Sequence, residues 1–428
     1  MKSALEVLRE FFLLGLTSFG GPSAHVAFFR ERFVGVKKWL TETEYADLLA
    51  LCQFLPGPGS SQLGLSIGWR RAGWAGAFAA WFGFTMPSAI ALTLFGIGMT
   101  QWGGGLDGNT GWLRGLQIAV VVVIANAVVS MWRALCPGTL HKLVALAVAA
   151  LILATEPAWM QLVVIALGAV FGLVFLRQKK VDETLTSFAT ARDEEEEGSE
   201  SRETFGEGGS TGLSEGSDPV KSGKALGIVC LVLFFALLVG LPILTKLWPG
   251  QQLEAFHSMY RSGSLVFGGG HVMLPLLSRE VVDPGWVTPE QFLAGYGAAQ
   301  AVPGPLFTFS AFLGTMIDGP GGAWGMAAIC LVGVFLPAWL LVLGVMPFWH
   351  GAVRRPGVRA ALAGTNAAVV GLLGSALYDP VWVGAIRSSL DVVFLLGVAA
   401  VLLIMKWPSW LVVVLSGVAG WGVFSLAG

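Results

Sequence analysis

The chain has 428 residues, of which 55% are hydrophobic and 12% are charged, and its mean hydropathy is +0.72. Soluble domains carry about twice that share of charged residues, so the composition excludes a soluble globular class and predicts a protein of the lipid bilayer. Because the formal net charge is only -1, we expect no nucleic-acid partner.

The first half of the chain contains six apolar segments. They span 5–33, 44–68, 72–98, 112–134, 143–155 and 158–176. We expect no cleavable signal, since Glu6, Arg9 and Glu10 interrupt the first apolar run, and we expect this segment to be retained. The segment 143–155 is shorter than the ~20 residues of an upright span, which predicts a closely packed hairpin with its neighbour.

Residues 177–224 differ in composition from the segments around them. An acidic run at 193–197 and a Gly/Ser/Thr-rich stretch at 206–217 predict a disordered cytoplasmic linker, which we favour over a regulatory segment. An unmatched apolar helix, 225–245, follows the linker and is predicted to cross the membrane.

The second half, 246–428, repeats the first, 1–176. Its apolar segments span 254–280, 288–315, 321–349, 356–378, 388–405 and 408–427. The repeat is clearest where residues 39–68 align without a gap over 286–315. The alignment places Pro56-Gly57-Pro58 on Pro303-Gly304-Pro305, Gln53 on Gln300, and Trp39 on Trp286. Phe19-Gly20-Gly21 likewise recurs as Phe267-Gly268-Gly269.

The Pro-Gly-Pro triplets predict that two membrane segments are broken. Each proline removes a backbone donor and clashes with the preceding turn, so a helix cannot continue through the triplet. Inside a bilayer, broken backbone is tolerated only where it is buried in protein or lines a wet cavity. Paired breaks in two repeated halves are a sequence signature of a transporter binding site.

The placement of basic residues predicts that the halves face opposite ways. Arg70 and Arg71 precede 72–98, whereas a cluster of three arginines follows 321–349. Since cytoplasmic loops hold the excess of Lys and Arg, the first of these segments runs outward and the second inward. The sequence therefore predicts an all-α integral membrane protein with two inverted-topology repeats of about six membrane segments each, plus one linking helix.

The same rule predicts a cytoplasmic N-terminus and linker and a periplasmic C-terminus. It conflicts with a full crossing of 5–33 and 44–68, because the basic loop between them would then be external. The conflict disappears if both segments are re-entrant hairpins folded at their breaks, which is the arrangement that we expect.

Each break would expose a helix N-terminus, which attracts anions through unpaired N–H groups and about +0.5 of an elementary charge. Four convergent breaks would suit a divalent anion, with neutral hydroxyls and amides as further donors. The candidate substrate-binding residues are Gly20, Gly21, His25, Gln53, Gly57, Ser60, Ser61, Gln62, Gln117, Gly268, Gly269, His271, Gln300, Gly304, Thr308 and Asn366. Interhelical hydrogen bonding is the alternative role for the hydroxyls and amides.

The remaining polar and sulfur-containing residues receive structural interpretations. Glu31 and Glu280 follow the two histidines and are interpreted as solvated interfacial carboxylates, while Arg114 is interpreted as a snorkelling anchor. Packed free thiols are expected at Cys52, Cys136, Cys230 and Cys330. We expect no cofactor and no enzymatic activity, since no metal-ligand cluster, paired carboxylates or nucleophile constellation is apparent.

Several motifs together resemble the bacterial chromate ion transporter family in its long, fused form. They are FGGP at 19–22, PGPGSSQ at 56–62, FGGGH at 267–271 and GYGAAQAVPGPLFTF at 295–309. The resemblance implies export of chromate across the cytoplasmic membrane, driven by the proton motive force, and chromate resistance. A sulfate transporter and an oxyanion channel stay open as alternatives. The expected partners are chromate, sulfate as a related oxyanion, the lipid bilayer and, as an open alternative, a second copy in a homodimer.

Overall fold

The computed structural model describes residues 2–102, 111–155, 160–176, 224–267, 270–349 and 356–427, and all the regular elements in these ranges are helices. The first repeat contains α1 (Lys2–Thr17), α2 (Gly21–Arg30), α3 (Glu42–Phe54), α4 (Gly59–Trp102), α5 (Gly111–Leu135), α6 (Thr139–Ala154) and α7 (Met160–Phe171). The linking helix is α8 (Lys224–Leu247). The second repeat contains α9 (Gln251–Leu265), α10 (Met273–Val281), α11 (Pro289–Ala301), α12 (Phe309–Met316), α13 (Gly322–Val345), α14 (Pro356–Ala376), α15 (Ser389–Ala399) and α16 (Ser409–Ala427). The predicted all-helical fold is confirmed, and the predicted linker lies outside the described residues up to 223.

The predicted breaks separate short helices. Between α1 and α2 the backbone reverses at Gly20, whose φ is 104°, and between α3 and α4 it reverses at Gly57, whose φ is 126°. In the second repeat Gly304, with a φ of 100°, separates α11 from the 3-10 turn Leu306–Thr308 that leads into α12. Left-handed backbone of this kind favours glycine, which explains the central residue of each Pro-Gly-Pro triplet.

Among the described residues, five helical stretches are long and apolar enough to cross a bilayer. They are Gly59–Gln101, Gly111–Leu135, Lys224–Leu247, Gly322–Phe348 and Ala360–Ala385. The arms on either side of the breaks are shorter than the ~20 residues that a span requires, with 16 residues in α1 and 13 in α3. The four broken segments are therefore pairs of half-length arms.

The helix α4 combines the second arm of a broken segment with a full span. Ala72 and Gly73 are non-helical, and a side chain on Gly68 would collide with the backbone carbonyl of Gly76. Residues 59–71 thus fold back against the start of 74–102, and only two residues form the turn that the sequence predicted between them.

Ion pairs show that both broken segments of the first repeat are hairpins. Glu6 near the start of α1 contacts Lys37, which follows α2, at 3.6 Å, and Arg71 at 3.3 Å. Glu44 near the start of α3 contacts Arg70, at the end of the first arm of α4, at 2.5 Å. Each segment begins and ends on one face of the molecule, which agrees with the predicted re-entrant arrangement. We call it the basic face, and its basic residues are Arg30, Arg32, Lys37, Arg70 and Arg71.

The corresponding hairpin of the second repeat starts at the opposite face. The ring of Phe95 near the end of α4 lies 6.1 Å from that of Trp112 in α5, so α5 starts where α4 ends. Gln117 of α5 donates from Nε2 to the backbone carbonyl of Glu290, the second residue of α11, at 3.0 Å. Since α4 leads from the basic face to this one, the two repeats are inverted, as the sequence predicted.

At this second face the interpretation of Arg114 as a snorkelling anchor is wrong. Its Nε lies 2.6 Å from Oδ1 of Asp391, whose side chain is fully buried. Asp391 also completes a capping box with Ser388 at the start of α15. Arg114 therefore joins α5 to α15 by a partly buried ion pair. The sequence did not predict this pair.

The two repeats exchange helices at close crossings of small residues. A side chain on Gly115 in α5 would overlap the carbonyl of Ser416 in α16, and one on Gly364 in α14 would overlap the carbonyl of Gly168 in α7. The two crossings are equivalent under the repeat. Such contacts let backbones approach closely. Close packing of this kind drives the association of helices in a bilayer, because the hydrophobic effect does not favour helix contacts over lipid contacts there.

The interior is apolar and shared between the repeats. One continuous core joins residues such as Leu92 and Val120 of the first repeat to Phe292 and Phe312 of the second. The predicted packed thiols are confirmed, because all four cysteines are free and buried.

Candidate functional site

The breaks of the two repeats meet through a reciprocal pair of hydrogen bonds. Gly57 donates its backbone N–H to the carbonyl of Val266 at 2.7 Å, and Gly304 donates to the carbonyl of Ser18 at 3.0 Å. Ser18 and Val266 each directly precede a Phe-Gly-Gly sequence. Every Pro-Gly-Pro break is thus bonded to the Phe-Gly-Gly segment of the other repeat. We call this region, made of 18–21, 56–58, 266–267 and 303–305, the break centre.

The long helices hold the break centre from both sides. A Cβ on Gly57 would lie 3.4 Å from that of Ala338 in α13, and a Cβ on Gly304 would lie 2.8 Å from Oγ of Ser88 in α4. Each Pro-Gly-Pro break therefore packs against the spanning helix of the other repeat. The sequence predicted the breaks but not this reciprocal packing.

Four helical elements begin at or beside the break centre, and two of them lack a side-chain cap. Elements start at Gly21, Gly59, Gly270 and Leu306. Gly20 and Pro305 precede the first and last of these and supply no side-chain acceptor. By contrast, Thr41 and Thr288 form full capping boxes where α3 and α11 begin near the faces. The N–H groups at uncapped helix starts are available to an acceptor, and an anion is the acceptor that they favour.

The predicted hydroxyl residues next to the Pro-Gly-Pro breaks are buried. Ser60 and Ser61 are 4% exposed, and Gln62 and Thr308 are fully buried. Thr308 donates to a backbone carbonyl within its own turn at 2.7 Å, whereas Ser61 Oγ has no partner. Gln62 donates from Nε2 to the carbonyl of Pro56 at 2.8 Å, which leaves its Oε1 without a partner. A buried polar atom without a partner is uncommon in proteins and is one indication of a ligand site.

His25 belongs to the same region. Its ring is fully buried, and Nε2 lies 3.1 Å from the Ser18 carbonyl that also accepts from Gly304. A carbonyl can only accept, so Nε2 carries the proton and Nδ1 is an acceptor, which has no partner. The side chain of its predicted counterpart, His271, lies outside the described part of the chain, as do Gly268 and Gly269.

The predicted amides are dispersed rather than gathered at the break centre. Gln117 bonds to α11 near the second face, Gln53 is exposed on α3, and the side chain of Gln300 bonds to that of Tyr296. Asn366 is partly buried on α14. For Gln117 and Gln300, interhelical or local hydrogen bonding, which was the alternative left open, is what the structure shows.

The two carboxylates that follow the predicted histidines, Glu31 and Glu280, differ in structure. Glu31 is exposed, as predicted. Glu280 is not a solvated carboxylate, because its side chain is only 11% exposed and lies 2.6 Å from Arg261 of α9. That pair links the two arms of its hairpin, so its role is structural.

Sequence reasoning missed Ser18 and Ser88, which both touch Gly304. Their equivalents in the second repeat are Val266 and Ala338, so a search for polar residues that recur in both halves passes over them. The signal available in the sequence was position, since Ser18 directly precedes a break.

Comparison with known proteins agrees with the repeated architecture. The family model described as chromate transporter matches residues 5–173 and 253–421. The chain is 27% identical, over 98% of its length and 92% of the relative, to a "Chromate transport protein" of Pseudomonas aeruginosa. It is 28% identical, over 97% of its length and 95% of the relative, to a "Probable chromate transport protein" of Synechococcus elongatus. A "Chromate transport protein" of Cupriavidus metallidurans is 26% identical to the chain, over 94% of the chain and 88% of the relative. No solved structure matches the chain.

Proposed function

The chain belongs to the chromate transporter family, and from that premise we propose that it is a secondary transporter that exports chromate and confers chromate resistance. The break centre is the proposed binding site. The observation that carries the proposal is the reciprocal hydrogen bonding of Gly57 to Val266 and of Gly304 to Ser18. It brings broken helices of both repeats together in one buried place, as transporters with inverted repeats do around their substrates.

The electrostatics of this place suit a divalent anion. Each helix start contributes about +0.5 of an elementary charge, so four of them present roughly +2. The described carboxylates that are buried or nearly so, Glu10, Glu280 and Asp391, each lie in an ion pair, so none of them is left free to repel an anion. Binding by dipoles and neutral donors also avoids a permanent cation that would hold the anion too tightly for release.

Burial of the site supports a transporter over an open channel. Ser61, Gln62 and Thr308 are at most 4% exposed, so the described conformation is closed to both faces. A substrate reaches the centre only when a hairpin moves. The two backbone bonds between the repeats are worth about 1 kcal/mol each, which is small enough to be exchanged in a transport cycle.

The direction of transport follows from orientation and charge. We place the basic face in the cytoplasm, because cytoplasmic loops carry the excess of Lys and Arg. The N-terminus and linker are then cytoplasmic, and the C-terminus lies on the periplasmic side of the bacterial inner membrane. Moving a dianion out of a negative-inside cell gains about 4.6 kcal/mol at 100 mV, or roughly a thousandfold gradient, so export needs no coupling ion.

Everted membrane vesicles test this function directly. We expect energised vesicles that contain the protein to take up radiolabelled chromate, and we expect valinomycin with potassium to abolish uptake by collapsing the potential. Nigericin, which collapses the pH gradient, should leave uptake largely intact. Uptake that survives loss of the potential would contradict the proposed driving force, and single-channel current steps in a planar bilayer would favour a channel. Competition by sulfate would show a broader oxyanion substrate.

A single-residue test connects the function to the break centre. Ser61→Ala removes an unpaired buried hydroxyl, and we expect chromate to bind about tenfold more weakly, as for loss of a hydrogen bond to a charged group. Ser66 is the matched control, because it is buried on the same helix and its hydroxyl donates to the carbonyl of Gln62 at 2.8 Å. Ser66→Ala should bind chromate normally. Equal binding by wild type and Ser61→Ala would remove Ser61 from the site.

A further inference from the structure

The spanning helices of the two repeats present different chemistry to each other. Gly83 and Pro87 of α4 align with Gly333 and Pro337 of α13, which fixes the register between the two helices. Trp81, Thr85 and Ser88 share one face of α4, because they are spaced by four and three residues. This face is directed toward α13. Their equivalents on α13 are Leu331, Phe335 and Ala338. One repeat therefore carries a polar stripe where the other carries an apolar one.

The polar stripe and Ser18, which lies beside it just before the first break, contain donors without acceptors. Thr85 is fully buried and Ser18 is 1% exposed, and neither hydroxyl has a hydrogen-bond partner. The indole Nε1 of Trp81 is buried and unpartnered too. Elsewhere on α4, Thr93 shows the usual solution, in which its hydroxyl donates to the carbonyl of Ala89 at 2.8 Å. Thr85 is one turn of helix from a carbonyl that it could use in the same way, yet it does not do so.

These donors border the part of the break centre that belongs to the second repeat. The Ser18 carbonyl accepts from Gly304, and Ser88 is the side chain that a Cβ on Gly304 would meet. The ring of Trp81 lies 5.9 Å from that of Phe335. The stripe thus faces the second repeat at the level where the repeats are joined.

We propose that the oxyanion binds off the pseudo-two-fold axis, against the first repeat, where Ser18, Trp81 and Thr85 join Ser61 as its side-chain donors. This inference rests on the proposed function and adds the residues that hold the anion. An indole N–H can only donate, and each of the two unpartnered hydroxyls has a proton to donate, so these residues fit a tetrahedral oxyanion that presents unprotonated oxygens. The apolar equivalents on α13 offer the anion no side-chain donor, so the anion has one bound position, on the side of the first repeat.

Some of the other unpartnered buried atoms also bear on this asymmetry. His25 Nδ1 and Gln62 Oε1 are acceptors of the first repeat, and they suit water molecules that accompany the anion. Among the described residues, Ser262, on α9, is the buried hydroxyl without a partner that belongs to the second repeat. It provides a control for the asymmetry.

The test is equilibrium binding of radiolabelled chromate, sulfate and molybdate to the purified full-length protein. Thr85→Val keeps the side-chain volume and removes the donor, and we expect it to weaken oxyanion binding about tenfold, as should Ser18→Ala. Thr93→Val and Ser262→Ala should bind within twofold of wild type. Wild-type binding by Thr85→Val, or an equal loss in Ser262→Ala, would overturn the off-axis site.

Thermal unfolding in the absence of anion separates binding from folding. Because the Thr85 hydroxyl is buried and unpaired, Thr85→Val should leave the midpoint unchanged or raise it while binding falls. A lowered midpoint that accounts for the binding loss would overturn the assignment. The proposed function can fail separately: if vesicles do not transport chromate while these variants still lose sulfate or molybdate binding, the site stands and the chromate assignment falls.

Discussion

At the scale of single residues, the glycines at the centre of the Pro-Gly-Pro triplets are required by both conformation and contact. Gly304 has a φ of 100°, and a Cβ there would lie 2.8 Å from Ser88 Oγ. We expect Gly304→Ala to lower the free energy of unfolding by about 1–3 kcal/mol through backbone strain. Gly374→Ala is the control, since its Cβ would meet open space within a helix and should be neutral or slightly stabilising. Thermal unfolding in detergent compares the two, and equal midpoints would contradict the constraint at Gly304.

The residues of the break centre were predictable to different degrees. The chemistry of proline and glycine predicts a break at Gly57 and at Gly304 from the sequence alone. Ser18 and Thr85 were not predictable, because their significance depends on which repeat each break packs against. Gln117 was predicted as a ligand from its repeated position, yet its amide bonds to α11, since a repeated polar residue can serve helix packing equally well.

At the scale of helices, charged pairs position the short arms and the helix ends. Asp391 is fully buried and Arg114 is 34% exposed, so their pair is stronger than a surface ion pair and weaker than a fully buried one. We expect Asp391→Asn to destabilise the protein by about 2 kcal/mol, a value reduced from the usual range for buried pairs because Arg114 is partly solvated.

The matched control is the neighbouring pair of Arg387 and Glu290, whose side chains are 52% and 51% exposed. Glu290→Gln should change stability by less than about 0.5 kcal/mol. A double-mutant cycle of Arg114→Met and Asp391→Asn, followed by thermal unfolding, measures the coupling. Coupling no larger than that at the exposed pair would show that Arg114 is only an interfacial anchor.

The exchange of helices between repeats had no local signal in the sequence. The match of Gly115 with Gly364 revealed a repeated small residue but not its contact, because α5 and α14 each pack on the last helix of the other repeat. The re-entrant hairpins were predictable, since the positive-inside rule failed for full crossings of these segments. A conflict between charge and hydropathy was thus more informative than either one alone.

At the scale of the whole molecule, inversion gives the two faces equivalent machinery. Each face receives two hairpins from one repeat, and the hairpin tips bond to those of the other repeat at the break centre. A movement that opens the centre to the basic face therefore has a counterpart that opens it to the second face. Alternating access follows from the symmetry of the fold without a separate gate on each side.

Inversion predicts opposite accessibility for equivalent positions. Val36 and Asp283 end the first hairpin of their repeats, align in the repeat, and are both exposed, Val36 by 60%. The four native cysteines are buried, so the background labelling by a membrane-impermeant thiol reagent should be low. We expect Val36→Cys to react in everted vesicles and Asp283→Cys to react in spheroplasts, because the basic face is cytoplasmic. Reaction of both variants from the same side would mean parallel repeats. The reverse pattern would keep the inverted repeats but place the basic face outside the cell. The membrane potential would then oppose the proposed export instead of driving it.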